Sequence, residues 1–229
     1  MTDFNYYSLE NAHEASGFVV VVDVLRAFTT AAHAFNVGAE KILPVAGVEE
    51  AIQLRKRIPG SLIMGEVDGE KPAGFDFGNS PAAISVLDLS GRTLIQRTSA
   101  GTQGIVRAVN ANHLFAASFV VAKATAEVIL RCNPAVVSFV ITGESAARDG
   151  DEDRACAEYI QAVVMNEVTD KSAYIERVGS SSAGRSFLND RNQTFLRNDF
   201  VMSIQTDIFP FTLPVEWEDS LWVMTMNGP

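Results

Sequence analysis

The sequence predicts an α/β protein whose largely parallel sheet is covered by helices on both faces. Two observations indicate this fold class. Short apolar runs rich in valine and isoleucine alternate with alanine-rich or amphipathic stretches along the first two thirds of the chain. In addition, 229 residues with 47% hydrophobic content are enough to bury a sizeable core.

The predicted elements follow one another in a regular order. The run Gly17–Val22 is apolar throughout, which is typical of a strand buried on both faces. An alanine-rich helix over 26–37 follows and ends at Gly38. Ser80 and Pro81 resemble an N-cap and a first helical residue. The pattern predicts further strands over 41–45, 61–65, 93–96, 113–117 and 135–141, and further helices over 48–58, 102–110, 120–130 and 152–167.

The last part of the chain has a different character. We expect residues 1–169 to form the α/β core and residues 170–229 to add helices and an edge strand to the same body, without a firm boundary. The aromatic residues of this final segment, Trp217 among them, also suit an interface in a homodimer.

Composition excludes several classes of function. A formal net charge of −10 argues against nucleic acid as a partner. The apolar runs are too short for a membrane span and the N-terminus lacks the pattern of a signal peptide, so a soluble, cytoplasmic protein is expected. Cys132 and Cys156 are predicted to be free, buried thiols without a zinc motif. Neither a Walker loop nor GxGxxG nor GxSxG occurs.

Polar residues gather directly after the predicted strands. In parallel α/β sheets, ligands bind beyond the carboxyl ends of the strands, so we expect these loops to open on one edge. The residues that follow five of the strands are Asp23 and Arg26; Glu66, Asp68, Asp76, Asn79 and Ser80; Arg97, Thr98, Ser99, Gly101 and Thr102; Ser118; and Thr142, Gly143, Glu144, Glu152 and Asp153.

Each of these groups also has a structural interpretation. Asp23 fits the cap of the following helix equally well, and Arg26 fits an ordinary surface arginine. The acidic run 149–153 has the composition that compensates a helix dipole. The segment 98–102 suits a phosphate cradle, because small residues and the first N–H groups of a helix favour anions. These alternatives stay open on position alone.

Taken together, the motifs resemble the 2-phosphosulfolactate phosphatases, the ComB family. The matching segments keep the family's order over roughly residues 17 to 165. They are 21–27 (VVDVLRA), Gly65-Glu66, 74–81 (GFDFGNSP), 97–102 (RTSAGT) and Glu152-Asp153. Many members have TTNGT where this chain has TSAGT, so Ala100 replaces a side-chain amide.

The resemblance implies a magnesium-dependent phosphatase with a three-layer α/β/α fold and a mixed, largely parallel sheet. The family's namesake reaction converts (2R)-2-phospho-3-sulfolactate to 3-sulfolactate and phosphate, on the route to coenzyme M. We therefore expect a small phosphorylated or sulfonated acid as the substrate. A non-catalytic binder of small anionic metabolites and a phosphatase for a different small phosphorylated metabolite remain alternatives.

On this resemblance we expect Asp23, Glu66 and Asp76 to hold one Mg²⁺. Arg26 is expected to grip the phosphate, and either Asp23 or Glu152 to act as the acid or base. Direct attack by water and an aspartyl-phosphate on Asp23 are both open. The expected substrate-binding residues are Asn79, Ser80, Arg97, Thr98, Ser99, Gly101, Thr102 and Ser118.

Overall fold

The computed structural model describes residues 2–145, 148–167, 170–189 and 194–228. Within these ranges the strands are β1 (Asp3–Ser8), β2 (Gly17–Val22), β3 (Lys41–Pro44), β4 (Leu62–Gly65), β5 (Thr93–Arg97), β6 (Ala111–Ala117), β7 (Val136–Ile141), β8 (Glu144–Ser145), β9 (Arg148–Asp149), β10 (Leu213–Glu218) and β11 (Leu221–Met224). The helices are α1 (Ala27–Asn36), α2 (Val48–Arg57), α3 (Pro81–Ile84), α4 (Gly101–Arg107), α5 (Ala122–Cys132), α6 (Asp151–Val164), α7 (Lys171–Ser180), α8 (Ser182–Leu188) and α9 (Arg197–Ser203).

Nine of these strands form one mixed sheet, in the order β1-β7-β2-β6-β10-β11-β3-β5-β4. The pairs within β1-β7-β2-β6 and within β3-β5-β4 are parallel. The β10–β11 hairpin joins the two blocks through antiparallel pairs. Helices lie over this sheet as outer layers, so the predicted three-layer α/β/α class with a largely parallel sheet is confirmed.

The position of the C-terminal strands corrects an expectation. We predicted an edge strand after residue 170, but β10 and β11 lie in the interior of the sheet between β6 and β3. Leu213 and Val215 are buried there, because both pair with β6 and are covered by the outer layers. Three antiparallel pairings separate the two parallel blocks, so the site cannot be explained by one continuous parallel edge.

The N-terminal segment is also part of the sheet. β1 pairs with β7, and Tyr6 packs on Phe139 with ring centroids 5.4 Å apart. Cys156 is buried as expected, whereas Cys132 is exposed at the end of α5, so the prediction of two buried thiols was half wrong. No helix within the described ranges is long and apolar enough to cross a membrane.

The centre of the fold positions the loop after β2. The run Val19–Val22 is fully buried, because α4 and α6 both pack on this strand. A Cβ added to Gly104 of α4 would lie 2.5 Å from Cγ1 of Val21, so α4 approaches β2 as closely as a glycine allows. This close packing brings the first residue of α4, Gly101, to the end of β2.

Candidate active site

Asp23 lies at the carboxyl end of β2 and is 5% exposed. Its Oδ1 accepts a hydrogen bond of 2.8 Å from the N–H of Ala27, the first residue of α1. Its Oδ2 faces the start of α4, where a Cβ added to Gly101 would be only 2.7 Å away. Asp23 therefore caps a helix and also lies where loops from both parallel blocks of the sheet meet.

The electrostatic surroundings of Asp23 are mainly unfavourable to its charge. Burial, together with the negative charge of Glu66, raises the pKa of this carboxyl to about 6 from an ordinary value of 3.8. The Ala27 hydrogen bond, the charge of Arg148 and Thr142 act in the opposite direction. A buried carboxyl with such a pKa can exchange protons near neutral pH, as acid–base groups in active sites do.

A second pair of carboxylates comes from the first turn of α6. Asp153 accepts hydrogen bonds from the N–H groups of Val24 (2.8 Å) and Gly143 (2.7 Å). Its neighbour Glu152 is 4% exposed, and Oε2 of Glu152 has no hydrogen-bond partner within the described residues. Asp153 therefore ties the loop after β2 to α6, while Glu152 leaves one buried oxygen available.

These two carboxylates also lie in a setting that penalises charge. Burial raises the pKa of Glu152, and the charges of Asp149 and Asp23 add to this effect. Burial likewise raises the pKa of Asp153, with further contributions from Glu152 and Asp23. Asp23, Glu152 and Asp153 are thus close enough to repel one another, which is a situation that a bound cation relieves.

Glu66 reaches the site from the end of β4. Its Oε1 accepts a 2.6 Å hydrogen bond from the N–H of Ser99, and its Oε2 accepts one of 2.5 Å from Gly69. The carboxylate of Glu66 therefore binds the segment 98–102, which was predicted to bind phosphate. The hydroxyl of Thr102 lies 2.8 Å from the N–H of Thr98 and accepts from it, so these hydroxyls brace the loop from within.

Arg26 is buried more deeply than a surface arginine. Its Nη1 donates a 2.8 Å hydrogen bond to Oδ2 of Asp199 in α9, and the pair is 5% and 0% exposed. The guanidinium carbon also lies 5.2 Å and 5.3 Å from the ring centroids of Phe187 and Phe195. Within the described residues, Nη1 is the one guanidinium nitrogen of Arg26 with a hydrogen-bond partner.

The structure does not bring Asp76 to the other predicted metal ligands. Its Oδ2 accepts from the N–H of Ile63 at 2.7 Å and from Arg55 at 3.0 Å. Ile63 lies three residues before Glu66, a separation of about 10 Å along an extended backbone. Asp76 therefore stabilises β4 and α2. In the part of the chain that the structure describes, no group of three His, Cys, Asp or Glu side chains is arranged to hold a metal by itself.

The remaining predicted substrate-binding residues divide into two groups. Ser80 donates a 2.6 Å hydrogen bond to Asp199, and Arg97 donates one of 2.7 Å to the carbonyl of Glu66, so both have internal partners. In contrast, Oδ1 of Asn79 and the hydroxyl of Ser118 are buried and have no partner within the described ranges. Ser118 follows β6 directly, beside the end of β2.

Sequence reasoning assigned no role to three residues that the structure brings to this site. Asp153 belongs to the acidic run 149–153, and Arg148 directly precedes this run. Asp199 lies in a seven-residue helix without a motif, so its role depended on knowing the tertiary contacts.

Comparison with known proteins finds relatives over most of the chain. The sequence model of the family described as 2-phosphosulpholactate phosphatase matches residues 5–210. A protein of Bacillus subtilis, named probable 2-phosphosulfolactate phosphatase, is 37% identical over 203 residues, which cover 82% of this chain and 87% of the relative. A protein of Carboxydothermus hydrogenoformans with the same name is 42% identical over 159 residues, covering 69% and 64% of the two chains. One from Thermotoga petrophila, again so named, is 35% identical over 178 residues, covering 69% and 77%.

Proposed function

Because the chain belongs to the 2-phosphosulpholactate phosphatase family, we propose that it hydrolyses the phosphate ester of a small phosphorylated hydroxy acid. The relatives' names point to 2-phospho-3-sulfolactate as the substrate, with 3-sulfolactate and phosphate as the products. The observation that carries the proposal is the meeting of Asp23, Glu66, Glu152 and Asp153 around the end of β2.

A magnesium ion fits this acidic centre. Two buried carboxylates with raised pKa values and an unpartnered oxygen on Glu152 form a site where a cation would remove an electrostatic cost. Mg²⁺ usually binds through one or two carboxylates, with waters and substrate phosphate completing its shell. We propose Asp23 and Glu152 as these ligands. When bound, the ion would neutralise phosphate charge and lower the pKa of a bound water.

The carboxylates of the chain supply the chemistry of proton and phosphoryl transfer. Asp23, with its pKa near 6, can accept the proton of an attacking water or attack phosphorus directly. Glu152 would stay ionised as a ligand of the ion, so the proton that Asp23 takes from the attacking water would be available for the leaving oxygen. Asp153, which is fixed by three hydrogen-bond donors, keeps the loop after β2 in register with α6.

The phosphate would be held by groups of opposite polarity. Arg26 has guanidinium nitrogens beyond the one that Asp199 engages, and the start of α4 offers the backbone N–H groups of Ala100 and Gly101. The buried hydroxyl of Ser118 would donate a hydrogen bond to another oxygen of the substrate. Within the described residues this hydroxyl has no partner, whereas the unpartnered Oδ1 of Asn79 is an acceptor and would bind a donor such as a substrate hydroxyl or a water.

Phosphate release is the experiment that tests this proposal. Wild-type protein should release phosphate from 2-phospho-3-sulfolactate in the presence of Mg²⁺ and lose this activity with EDTA. A panel of phosphoglycerate, phospholactate and sugar phosphates would rank the substrates. Stabilisation by 3-sulfolactate in a thermal-shift assay, without turnover of any ester, would instead indicate a binder of small anions. The cytoplasmic location, the role in coenzyme M synthesis and the homodimer stay predictions.

A further inference from the structure

A cavity of about 310 Å³ adjoins the candidate active site on the side of α8. Its walls include Leu25, Arg148, Ser182, Ser186, Phe187 and Phe195. Leu25 stands between Val24, whose N–H binds Asp153, and Arg26. Phe187 and Phe195 are also the two rings that contact the Arg26 guanidinium. The cavity therefore adjoins the proposed phosphate site through these two rings, although Arg26 itself does not line it.

Arg148 is the cation of this cavity. No ion pair or hydrogen bond joins its side chain to any other residue that the structure describes. Its charge nevertheless acts on Asp23, whose pKa it lowers, so the guanidinium lies near the reaction centre. Two other arginines near α6 have ion-pair partners: Arg154 pairs with Glu144, and Arg177 pairs with Asp151 and Glu158.

The other polar groups on the cavity wall are already engaged. The N–H and the hydroxyl of Ser182 both donate to Asp149, at 3.1 Å and 3.0 Å. The hydroxyl of Ser186 lies 3.3 Å from the carbonyl of Ser182. Arg148 is thus the group on this wall that has donors to offer, and four apolar side chains, those of Leu25, Ala183, Phe187 and Phe195, surround the remaining space.

We propose that this cavity binds the sulfonate of the substrate and that Arg148 is the residue that recognises it. The inference rests on the proposed function and extends it to substrate specificity. A sulfonate spreads one negative charge over three oxygens, so it is more easily desolvated against apolar walls than a compact anion is. Two of the three sulfonate oxygens can accept parallel hydrogen bonds from one guanidinium. Three atoms separate phosphorus from sulfur in 2-phospho-3-sulfolactate, which suits neighbouring sites with a shared wall.

Three substrates separate the roles of the acid groups: 2-phospho-3-sulfolactate, 2-phospholactate, which keeps the carboxylate but lacks the sulfonate, and phenyl phosphate, which lacks both. Arg148→Ala should raise KM for phosphosulfolactate by about 10- to 100-fold, because one charge-assisted hydrogen-bonded contact is lost. The two other esters should show a smaller loss of kcat/KM, equal for both, because they lack the sulfonate and respond only to the loss of the Arg148 charge near Asp23. Arg148→Lys should show a smaller rise in KM. Arg131→Ala, an exposed arginine at the end of α5, is the matched control and should change nothing.

Other outcomes would overturn the proposal in distinct ways. Equal losses for phosphosulfolactate and phospholactate would place the carboxylate, not the sulfonate, in the cavity. Equal losses for all three esters would mean that Arg148 acts on the phosphate or on Asp23. Unchanged kinetics would remove Arg148 from recognition altogether.

Calorimetry with 3-sulfolactate separates this inference from the proposed function, because it needs no turnover. If no ester is hydrolysed but Arg148→Ala weakens binding of 3-sulfolactate about 10-fold or more, the subsite stands and the phosphatase proposal fails. If wild type hydrolyses phosphosulfolactate but Arg148→Ala binds 3-sulfolactate with unchanged affinity, the subsite is wrong and the phosphatase proposal stands.

Discussion

Asp199 and Arg26 form a buried ion pair of 2.8 Å between residues that lie 173 positions apart in the sequence. Oδ1 of the same aspartate accepts hydrogen bonds from the hydroxyl of Ser80 and the N–H of Ala82. One carboxylate from the C-terminal part therefore joins the loop after β2 to the start of α3. The position of the Arg26 guanidinium therefore depends on α9.

Removal of this carboxylate should be costly. Asp199→Ala would leave the Arg26 guanidinium buried without a counter-charge, so the free energy of unfolding should fall by about 3–5 kcal/mol. Urea denaturation measures this change. Arg55→Ala, which breaks a half-exposed pair with Asp76, is the control and should cost less than about 1 kcal/mol.

A double variant tests whether the cost comes from the unpaired charge. Arg26→Met combined with Asp199→Leu should be more stable than Asp199→Ala alone, because no charge remains buried. If the double variant is the less stable of the two, the packing of α9 and not the ion pair explains the loss.

The charge of Asp23 should destabilise the metal-free protein above about pH 6. The folded protein holds this proton up to a pKa of about 6, whereas the unfolded chain releases it near 3.8. Stability is therefore lost as the pH rises between these two values. Asp23→Asn avoids the loss, so above pH 6 it should exceed wild type by up to about 3 kcal/mol, and the difference should vanish below about pH 4.

Thermal unfolding in EDTA across this pH range measures the difference between the two proteins. Asp3→Asn, at an exposed position of β1, is the control and should follow wild type at every pH. An asparagine variant that is less stable than wild type at neutral pH would mean that nearby cations more than offset the burial of the charge.

Gly101 should tolerate no side chain. A Cβ at this position would lie 2.6 Å from Cβ of Ala27 and 2.7 Å from Oδ2 of Asp23, so either α4 or Asp23 has to move. Gly101→Ala should lower kcat/KM by about 100-fold or more, since a displacement of about 1 Å in an active site has an effect of this size. Gly78→Ala is a suitable control, because its Cβ would meet only an ordinary contact, 3.8 Å from Lys71.

Glu66 and Asp76 should differ in their effect on catalysis, although both were predicted to bind Mg²⁺. Glu66→Gln weakens the acceptor that holds the Ser99 N–H and should lower kcat. Asp76→Asn should mainly lower the melting temperature, because its partners are Arg55 and the Ile63 N–H. Steady-state kinetics over a range of Mg²⁺ concentrations distinguishes the two. If Asp76→Asn alone needed a much higher Mg²⁺ concentration for half-maximal activity, the prediction that Asp76 binds Mg²⁺ would be supported after all.

The sequence was informative wherever local pattern determines structure. The apolar run of β2 ends at Asp23, and the glycine and small residues after β5 begin a helix, so both loops could be identified as parts of a site. The pairing of β10 with β6 could not be predicted, because contact between distant segments leaves no periodic signal in either. Asp199 was missed for the same reason: its partners lie 117 to 173 residues away.

The assignment of Asp76 shows a different limit. Ser80 of the same segment contacts Asp199, the ion-pair partner of Arg26. Within a loop, however, sequence order does not determine which side chains turn towards the ligand. Asp76 instead binds the backbone of β4, about 10 Å from Glu66 along the strand.

Asp23 is the residue that we propose to carry out the hydrolysis of a phosphorylated hydroxy acid. The most direct test compares phosphate release from 2-phospho-3-sulfolactate by wild type and by Asp23→Asn, both with Mg²⁺ and both shown to be folded by thermal unfolding. Wild type should turn over, and the variant should be slower by about 1,000-fold or more. A wild type without phosphate release, or an asparagine variant with full activity, would contradict the account.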